Sequence, residues 1–464
     1  MNMRVGRNSR AKALPAVAGI TMVLMGIALL RIYGGARASG HLPAPPPADA
    51  PFTAAAKGSL TYSNDIRPLI EKHCASCHRP GQVAPFSLLT TQDVIKRAKQ
   101  IADITTARTM PPWKADSHGE FLDENRLTTQ ERGIIRQWAD EGAKLGASAP
   151  TITVKADADG WSLGKPDLIL SPSKTYTLGA EGRDEFHTFV LPTNLKEDVN
   201  LEAVEVRPGN QRVVHHTILY VDTDGRAHKR AEAAGSDNYG AENGAGVPSG
   251  VVDIWTPGKQ TRRLPAGIGM SVPKGSDLVL EIHYHRSGKP EPDLTKAALY
   301  FSKKPIQKHL RVFGLPVRQL WIPAGEPAYR TSGRFKVPDN VTLYSIFPHM
   351  HLLGKSMSVT ISDTDGSHAT LIDVPSWDFN WQNTYLFKNP VHMAPGQTID
   401  MTAVYDNSTN NPHNPSSPPK TVGWGEQTTD EMGLVFFGYT VDRENIPAGI
   451  VVPDAGSVIR RGGR

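Results

Sequence analysis

Only two of the 464 residues are cysteines, and they stand three apart in Cys74-Ala75-Ser76-Cys77, with His78 next. Whatever folds outside this run must hold together without disulfides, and two thiols cannot build a four-cysteine zinc or iron–sulfur site within one chain. The length implies two to four domains. Hydrophobic residues make up 39% and charged residues 21%, which excludes both a polytopic membrane protein and a disordered chain. With 42 glycines and 37 prolines against 7% aromatics, the balance favours turn-rich β structure over helical bundles.

The chain carries 51 Lys and Arg against 46 Asp and Glu, but the excess is local. Arg4, Arg7, Arg10, Lys12, Arg31 and Arg37 fall within residues 1–40, where no acid occurs, so the remainder is close to neutral. Composition thus gives no support for nucleic-acid binding. The basic start precedes eighteen uncharged, mostly apolar residues, 13–30. This pattern reads as an export signal ending near Ala36-Arg37-Ala38, or as a retained anchor just long enough to span a membrane. Residues 1–38 are therefore expected to be a signal peptide or an N-terminal inner-membrane anchor. Either one places the body in the periplasm or another extracytoplasmic space. Residues 39–59, rich in Pro and Ala, read as a linker.

Cys-x-x-Cys-His is the attachment signature of a c-type haem: the thiols add to the vinyl groups and the histidine ligates the iron. A redox-active thiol pair is the competing reading, and in an exported chain with no other cysteine the haem is preferred. A methionine on the opposite side of the iron raises its reduction potential. Met110, in Thr109-Met110-Pro111-Pro112-Trp113, is the candidate, ahead of His118 and His73. Helical spacing precedes His73, with Ser63 or Asn64 as a cap, and recurs over Val94–Ala102. It returns after Thr128-Thr129-Gln130-Glu131, a capping-box pattern. Three short helices around these ligands resemble a small class I-type cytochrome c domain over residues 60–148. The resemblance implies one covalent haem held by Cys74, Cys77, His78 and Met110, and transfer of single electrons.

From about residue 160 onward, strand-like runs replace helical ones: 187–191, 213–221, 277–284, 341–346, 357–361, 398–404 and 433–439, separated by turn clusters. They predict β-sandwich architecture, with residues 233–250 as an exposed loop or flap. Histidines gather on these runs as His215-His216, as His283 with His285 nearby, and as His349-x-His351. His349 and His351 alternate onto one face and can share an ion. Adjacent His215 and His216 face opposite sides of a regular strand and need a bulge to do so. Imidazole suits copper, zinc or iron alike.

The flanking residues narrow the choice. Val214-His215-His216-Thr217-Ile218-Leu219-Tyr220, the strand ending His283-Tyr284, Phe347-Pro348-His349-Met350-His351-Leu352-Leu353-Gly354-Lys355 and Thr428-Thr429-Asp430-Glu431-Met432 occur in this order. They resemble the copper type II, ascorbate-dependent monooxygenases over roughly residues 166–439. The resemblance implies a multidomain chain: the small all-α cytochrome domain, then two tandem all-β, jelly-roll-like sandwiches at 160–305 and 306–445, and a tail at 446–464. It also implies two copper ions per chain, facing a shared solvent-filled cleft. His215, His216 and His283 would hold the electron-storing ion; His349, His351 and Met432 would hold the catalytic one, where O2 is activated. The expected activity is that of a copper-dependent monooxygenase, an oxidoreductase that places one oxygen atom of O2 on a C–H bond of a small organic substrate. Electrons would come through the fused haem from a reductant or redox partner. The competing expectation is a non-enzymatic periplasmic electron-transfer or copper-holding protein. Phe347 and Phe436 stand where the peptide-amidating relatives carry an arginine and a tyrosine for the substrate carboxylate, which puts a glycine-extended peptide in doubt.

Overall fold

The computed structural model describes residues 48–80, 82–148, 150–153, 160–240 and 250–447. The expected leader (1–38), the first part of the linker, residues 241–249 of the expected flap, and the tail beyond 447 lie outside the described residues.

The helical unit starts at Thr61. Its extended backbone lets the hydroxyl accept the Asn64 N–H, while the Asp65 carboxylate accepts the Thr61 N–H at 2.8 Å. The cap is thus Thr61 rather than Ser63 or Asn64, and Tyr62–Ile66 winds as one π-helical turn into α1 (Arg67–His73). Thr90 caps α2 (Thr91–Ile95), and α3 (Ala98–Thr106) follows directly. The reciprocal capping box Thr128/Glu131 opens α4 (Thr129–Asp140); a side-chain cap of this kind contributes about 1 kcal/mol. Tyr62, Ile66, Ile70, Ile101, Ile135 and Trp138 close the small core.

Six of the seven expected runs lie within a strand, and the run 213–221 begins one residue before its strand, Val214–Asp222. Among the described residues, the first sandwich pairs two five-stranded sheets. One runs, in spatial order, Leu168–Leu170, Lys296–Phe301, Val199–Arg207, Ile268–Val272 and Lys308–His309. The other runs Asn238–Gly240, β1 (Glu185–Pro192), β3 (Asp277–Tyr284), β2 (Val214–Asp222) and Val251–Trp255. Part of the expected flap is therefore ordered: Asn238–Gly240 pairs with β1 as an edge strand, and a short helix, Arg226–Ala233, precedes it. Leu219, Val272, Leu280 and Ile282 are fully buried between the sheets.

The second sandwich packs Tyr329–Lys336, Thr398–Tyr405, Gly354–Ser362 and His368–Val374 against a second four-stranded sheet. That sheet runs Arg311–Pro316, β6 (Gly433–Val441), β4 (Val341–Met350) and β5 (Tyr385–Met393). The edge strand β5 is not left open. Residues 120–122 of the helical unit lie alongside it, with Leu122 N–H to Leu386 O at 2.8 Å and Lys388 N–H to Glu120 O at 2.7 Å. Phe121 pairs with Phe387 and sinks into the core of the sandwich. Covering an edge in this way satisfies its backbone groups and blocks edge-to-edge association. An ion pair between Arg262 and Asp123 ties the same loop to the first sandwich.

A network centred on half-buried Glu444 ties the two sandwiches. Glu444, just past β6, accepts the His309 backbone N–H at 2.9 Å, His309 Nδ1 at 2.8 Å, and two Arg311 nitrogens at 2.8 Å each. Burial works to raise the Glu444 carboxyl, but the His309 and Arg311 hydrogen bonds outweigh it and hold it far below the ordinary value of 4.5. A depressed carboxylate stabilises the fold fully above its unfolded value, and that contribution fades as pH falls toward the folded one. Glu444→Gln is therefore expected to lower the unfolding midpoint most at neutral pH. The gap to wild type should narrow steadily on acidification below about pH 4.5, as read by denaturant melts across a pH series.

Candidate metal centres and the neighbouring cavity

The β2–β3 ladder pairs Val214 with Tyr284 and then His216 with His283, so β2 advances one extra residue there. His215 occupies that bulge, and both neighbouring histidines reach the same side as His283. One ligand atom from each of the three lies within 4.8 Å of the others, and the Nδ1 atoms of His215 and His216 are 3.1 Å apart. The outward nitrogens are already engaged. His283 Nε2 meets Asp184 at 2.9 Å, and His215 Nε2 donates to the Phe379 carbonyl at 3.2 Å. Those bonds place the ring proton on Nε2 and leave Nδ1 as the bare nitrogen. His283 Nδ1 is buried and has no hydrogen-bond partner. Burial, and then the neighbouring histidines, push His215 and His216 well below the usual imidazole range, so they are neutral and able to ligate. This donor set fits a metal ion.

Asp184 was not singled out from the sequence. Burial favours its protonation, but hydrogen bonds to His283 and His285 prevail and keep it ionised far below the ordinary carboxyl range. It also accepts a short hydrogen bond from Thr428 of the second sandwich. His285 thus serves Asp184 and stands outside the triad.

His349 and His351 share one face at the end of β4, with ring centroids 5.2 Å apart and planes at 88°. Here Nδ1 is the engaged nitrogen: His349 Nδ1 meets Gln382 Oε1 at 2.6 Å, and His351 Nδ1 meets the Asp430 carbonyl at 3.2 Å. That leaves Nε2 on each ring for a ligand. Burial lowers His349 to about 4. Half-buried Met432 immediately precedes β6, and its carbonyl accepts the Tyr405 hydroxyl at 2.9 Å. Glu431 binds the turn together. Its fully buried carboxyl accepts backbone N–H groups of His351 (3.0 Å), Leu353 (2.6 Å) and Met432 (3.2 Å). Burial still pushes it up to about 8. Two glycines permit the close approaches: a Cβ at Gly433 would lie 2.4 Å from Tyr405 Oη, and one at Gly354 would lie 2.6 Å from Trp377 Cδ1. Trp377 in turn donates to the His351 carbonyl at 3.0 Å.

The two sets meet. His216 and His349 have ring centroids 5.9 Å apart, and Phe379 stacks on His215 at 4.3 Å while lying within about 6 Å of His283 and His351. His283, His349 and His351 are all buried. The structure thus presents one contiguous histidine cluster, half-buried at His215 and His216, rather than two sites facing each other across a solvent-filled cleft.

A cavity lies beside this cluster, reached through the Trp381–Thr384 stretch. Cys74, Cys77, His78 and Met110 all line it, together with Pro257–Gln260 of the first sandwich and Trp381, Asn383 and Thr384 of the second. The thiols are free, and burial raises both, Cys74 to about 12. His78 Nδ1 donates to the Phe86 carbonyl at 3.1 Å, so Nε2 is its available nitrogen. His73 also touches the cavity, but its Nδ1 meets Asn125 at 2.9 Å and its Nε2 faces Glu131 at 3.5 Å. His118 lies between Asp49 and Asp116, away from the cavity wall. Two thiols, an imidazole and a thioether thus line one cavity, the donor types a covalent haem would need.

Residues 327–447 match the family model described as copper type II ascorbate-dependent monooxygenase, C-terminal domain. A mouse DBH-like monooxygenase protein 2 is 25% identical over 269 residues, covering 53% of this chain and 40% of that protein. A human protein of similar description is 24% identical over 265 residues, covering 53% and 50%. The chain therefore spans half or less of the length of these relatives. Among solved structures, the infectious bursal disease virus VP2 particle aligns over 60% of this chain and 72% of that one. Its identity is 10% and its TM-score 0.17, and it carries no argument.

Removing the group that orients His283 should be felt by a bound ion, because such supporting partners typically contribute about 10- to 100-fold in metal affinity. Asp184→Ala is expected to weaken copper binding at the His215/His216/His283 set by that factor and to leave the His349/His351 set unchanged, as measured by chelator competition.

Proposed function

We propose that this chain is an exported copper monooxygenase that hydroxylates a C–H bond of a small organic substrate with O2, its electrons arriving through a c-type haem on the same chain. The observation that carries the proposal is the convergence of five histidines, each with a nitrogen free for an ion, beside a cavity walled by Cys74, Cys77, His78 and Met110. When bound, the two copper ions would each store one electron, the one beside Met432 would activate O2, and the haem would supply electrons singly.

The chain's own residues do the rest. His215, His216 and His283 offer Nδ1 and hold one ion. His349 and His351 offer Nε2 to the other, with the soft thioether of Met432 favouring its reduced state. Asp184, Gln382 and the carbonyls of Phe379 and Asp430 keep the ring protons on the far nitrogens. Phe379 excludes water from between the rings. Phe347 stacks over His349 at 6.2 Å and meets Phe436 at 5.9 Å. That wall suits an apolar portion of the substrate and gives a carboxylate no partner. The helical unit, residues 60–148, acts as a cytochrome c domain, and a reductant or redox protein outside the chain recharges it. Among the described residues no helix is long and apolar enough to cross a membrane; the proposed signal or anchor is residues 1–38, outside them.

The direct approach of the two histidine sets, 5.9 Å between the His216 and His349 rings, favours a second reading, a protein that holds copper and passes electrons without hydroxylating anything. One experiment separates them. Purified protein is assayed for metals, expected at two coppers and one haem per chain, and then screened against apolar substrates for hydroxylated product formed with O2 and reductant. Product coupled to oxygen uptake, lost in Met432→Ala, supports the monooxygenase. Full metal loading with oxygen uptake absent or uncoupled leaves the electron-transfer reading.

A further inference from the structure

The wall of the cavity and the wall of the histidine cluster are the same short stretch of chain. Trp381, Asn383 and Thr384 face the cavity, and Asn383 Nδ2 donates to the Pro112 carbonyl, 3.0 Å away on the loop that carries Met110. Gln382, between them, turns the other way. It is 3% exposed, its Oε1 lies 2.6 Å from His349 Nδ1, and its Nε2 donates to the Phe379 carbonyl at 3.0 Å. The same carbonyl accepts from His215 Nε2 at 3.2 Å. A hydrogen bond from the Trp381 N–H to the Asp378 carbonyl, 3.0 Å, fixes the turn.

We propose that residues 379–383 are the route by which an electron leaves the cavity for the metal cluster, entering at Trp381 and leaving through Gln382 to His349. A branch runs from the Phe379 carbonyl to His215. This rests on the haem-to-copper reading above. The step is a plain electron transfer: a ferrous haem becomes ferric, one cupric ion becomes cuprous, and no bond or proton moves. Orbital coupling passes better through covalent and hydrogen bonds than across gaps, so the shorter bonded route prevails. From Trp381 the route needs one peptide link, the Gln382 side chain and one hydrogen bond. The competing wall, Pro257–Gln260, also touches the cavity. From there the route must run back through Thr256 and Trp255, cross the ladder to Thr217, and only then reach His216.

The test is anaerobic mixing of haem-reduced, Cu(II)-loaded full-length protein, following ferrous haem absorbance and the Cu(II) paramagnetic signal together. Gln382→Leu fills similar volume without the acceptor and should slow copper-dependent haem oxidation about tenfold or more, the scale on which such supporting contacts act. Gln382→Glu keeps an oxygen beside His349 and should restore the rate. Trp381→Leu touches no histidine and should slow the reaction with the copper signal unchanged. The haem and copper midpoint potentials, both measured in each variant, should stay at the wild-type values, so the loss is one of coupling and not of driving force. If wild-type haem oxidation is independent of copper, the relay reading falls and the route with it. If wild type depends on copper but Trp381→Leu and Gln382→Leu keep its rate, only the route is overturned. Should Gln382→Leu lose copper, Trp381→Leu alone decides.

Discussion

Between Val214 and His216 one strand advances a residue while its partner holds, and the histidine cluster depends on that offset. In a regular strand His215 would point away from His216 and face the opposite side of the sheet. The bulge aims both rings at His283, and it brings His216 to the sandwich boundary, 5.9 Å from His349. From that position the hydrogen bonds across the boundary follow: His215 to the Phe379 carbonyl, and Asp184 to Thr428. The proton positions on the first set of rings are therefore partly governed by the second sandwich. The two sets of ligands are one piece of architecture.

Much of this could be read from the residues. Alternation located strands wherever apolar side chains recur every second position, and the adjacency of His215 and His216 itself demanded an irregular ladder. The capping box at Thr128 and Glu131 was written in the sequence four residues long. What escaped notice had no local pattern. Asp184 lies 99 residues from His283 and looks like any acid in a turn. Glu431 stood inside a recognised motif, yet nothing in its neighbours tells that its carboxyl gathers three backbone N–H groups. Phe379 and Gln382 sit in an irregular connection whose meaning is entirely tertiary. β5 carries Lys388 and Pro390, which argue against a strand until residues 120–122 supply it with a covered edge.

With both cysteines on the cavity wall, the sandwiches stand without disulfides. Their substitutes are apolar burial and long-range polar ties, such as Glu444 to His309 and Arg311. The same economy shows beside His349 and His351, where Glu431 and Tyr405 hold the Met432 turn by hydrogen bonds and two glycines let the parts approach.

Phe121 has the widest consequence. Because its ring belongs to the core of the second sandwich, the helical unit is no module swinging on a tether. Its place beside the histidine cluster is not a matter of linker length or local concentration. The cavity wall and the histidine cluster keep a constant separation, like two posts set in one foundation. Under the proposed relay, the pace of electron supply would be governed by the masonry between them and by whatever partner visits the outer mouth.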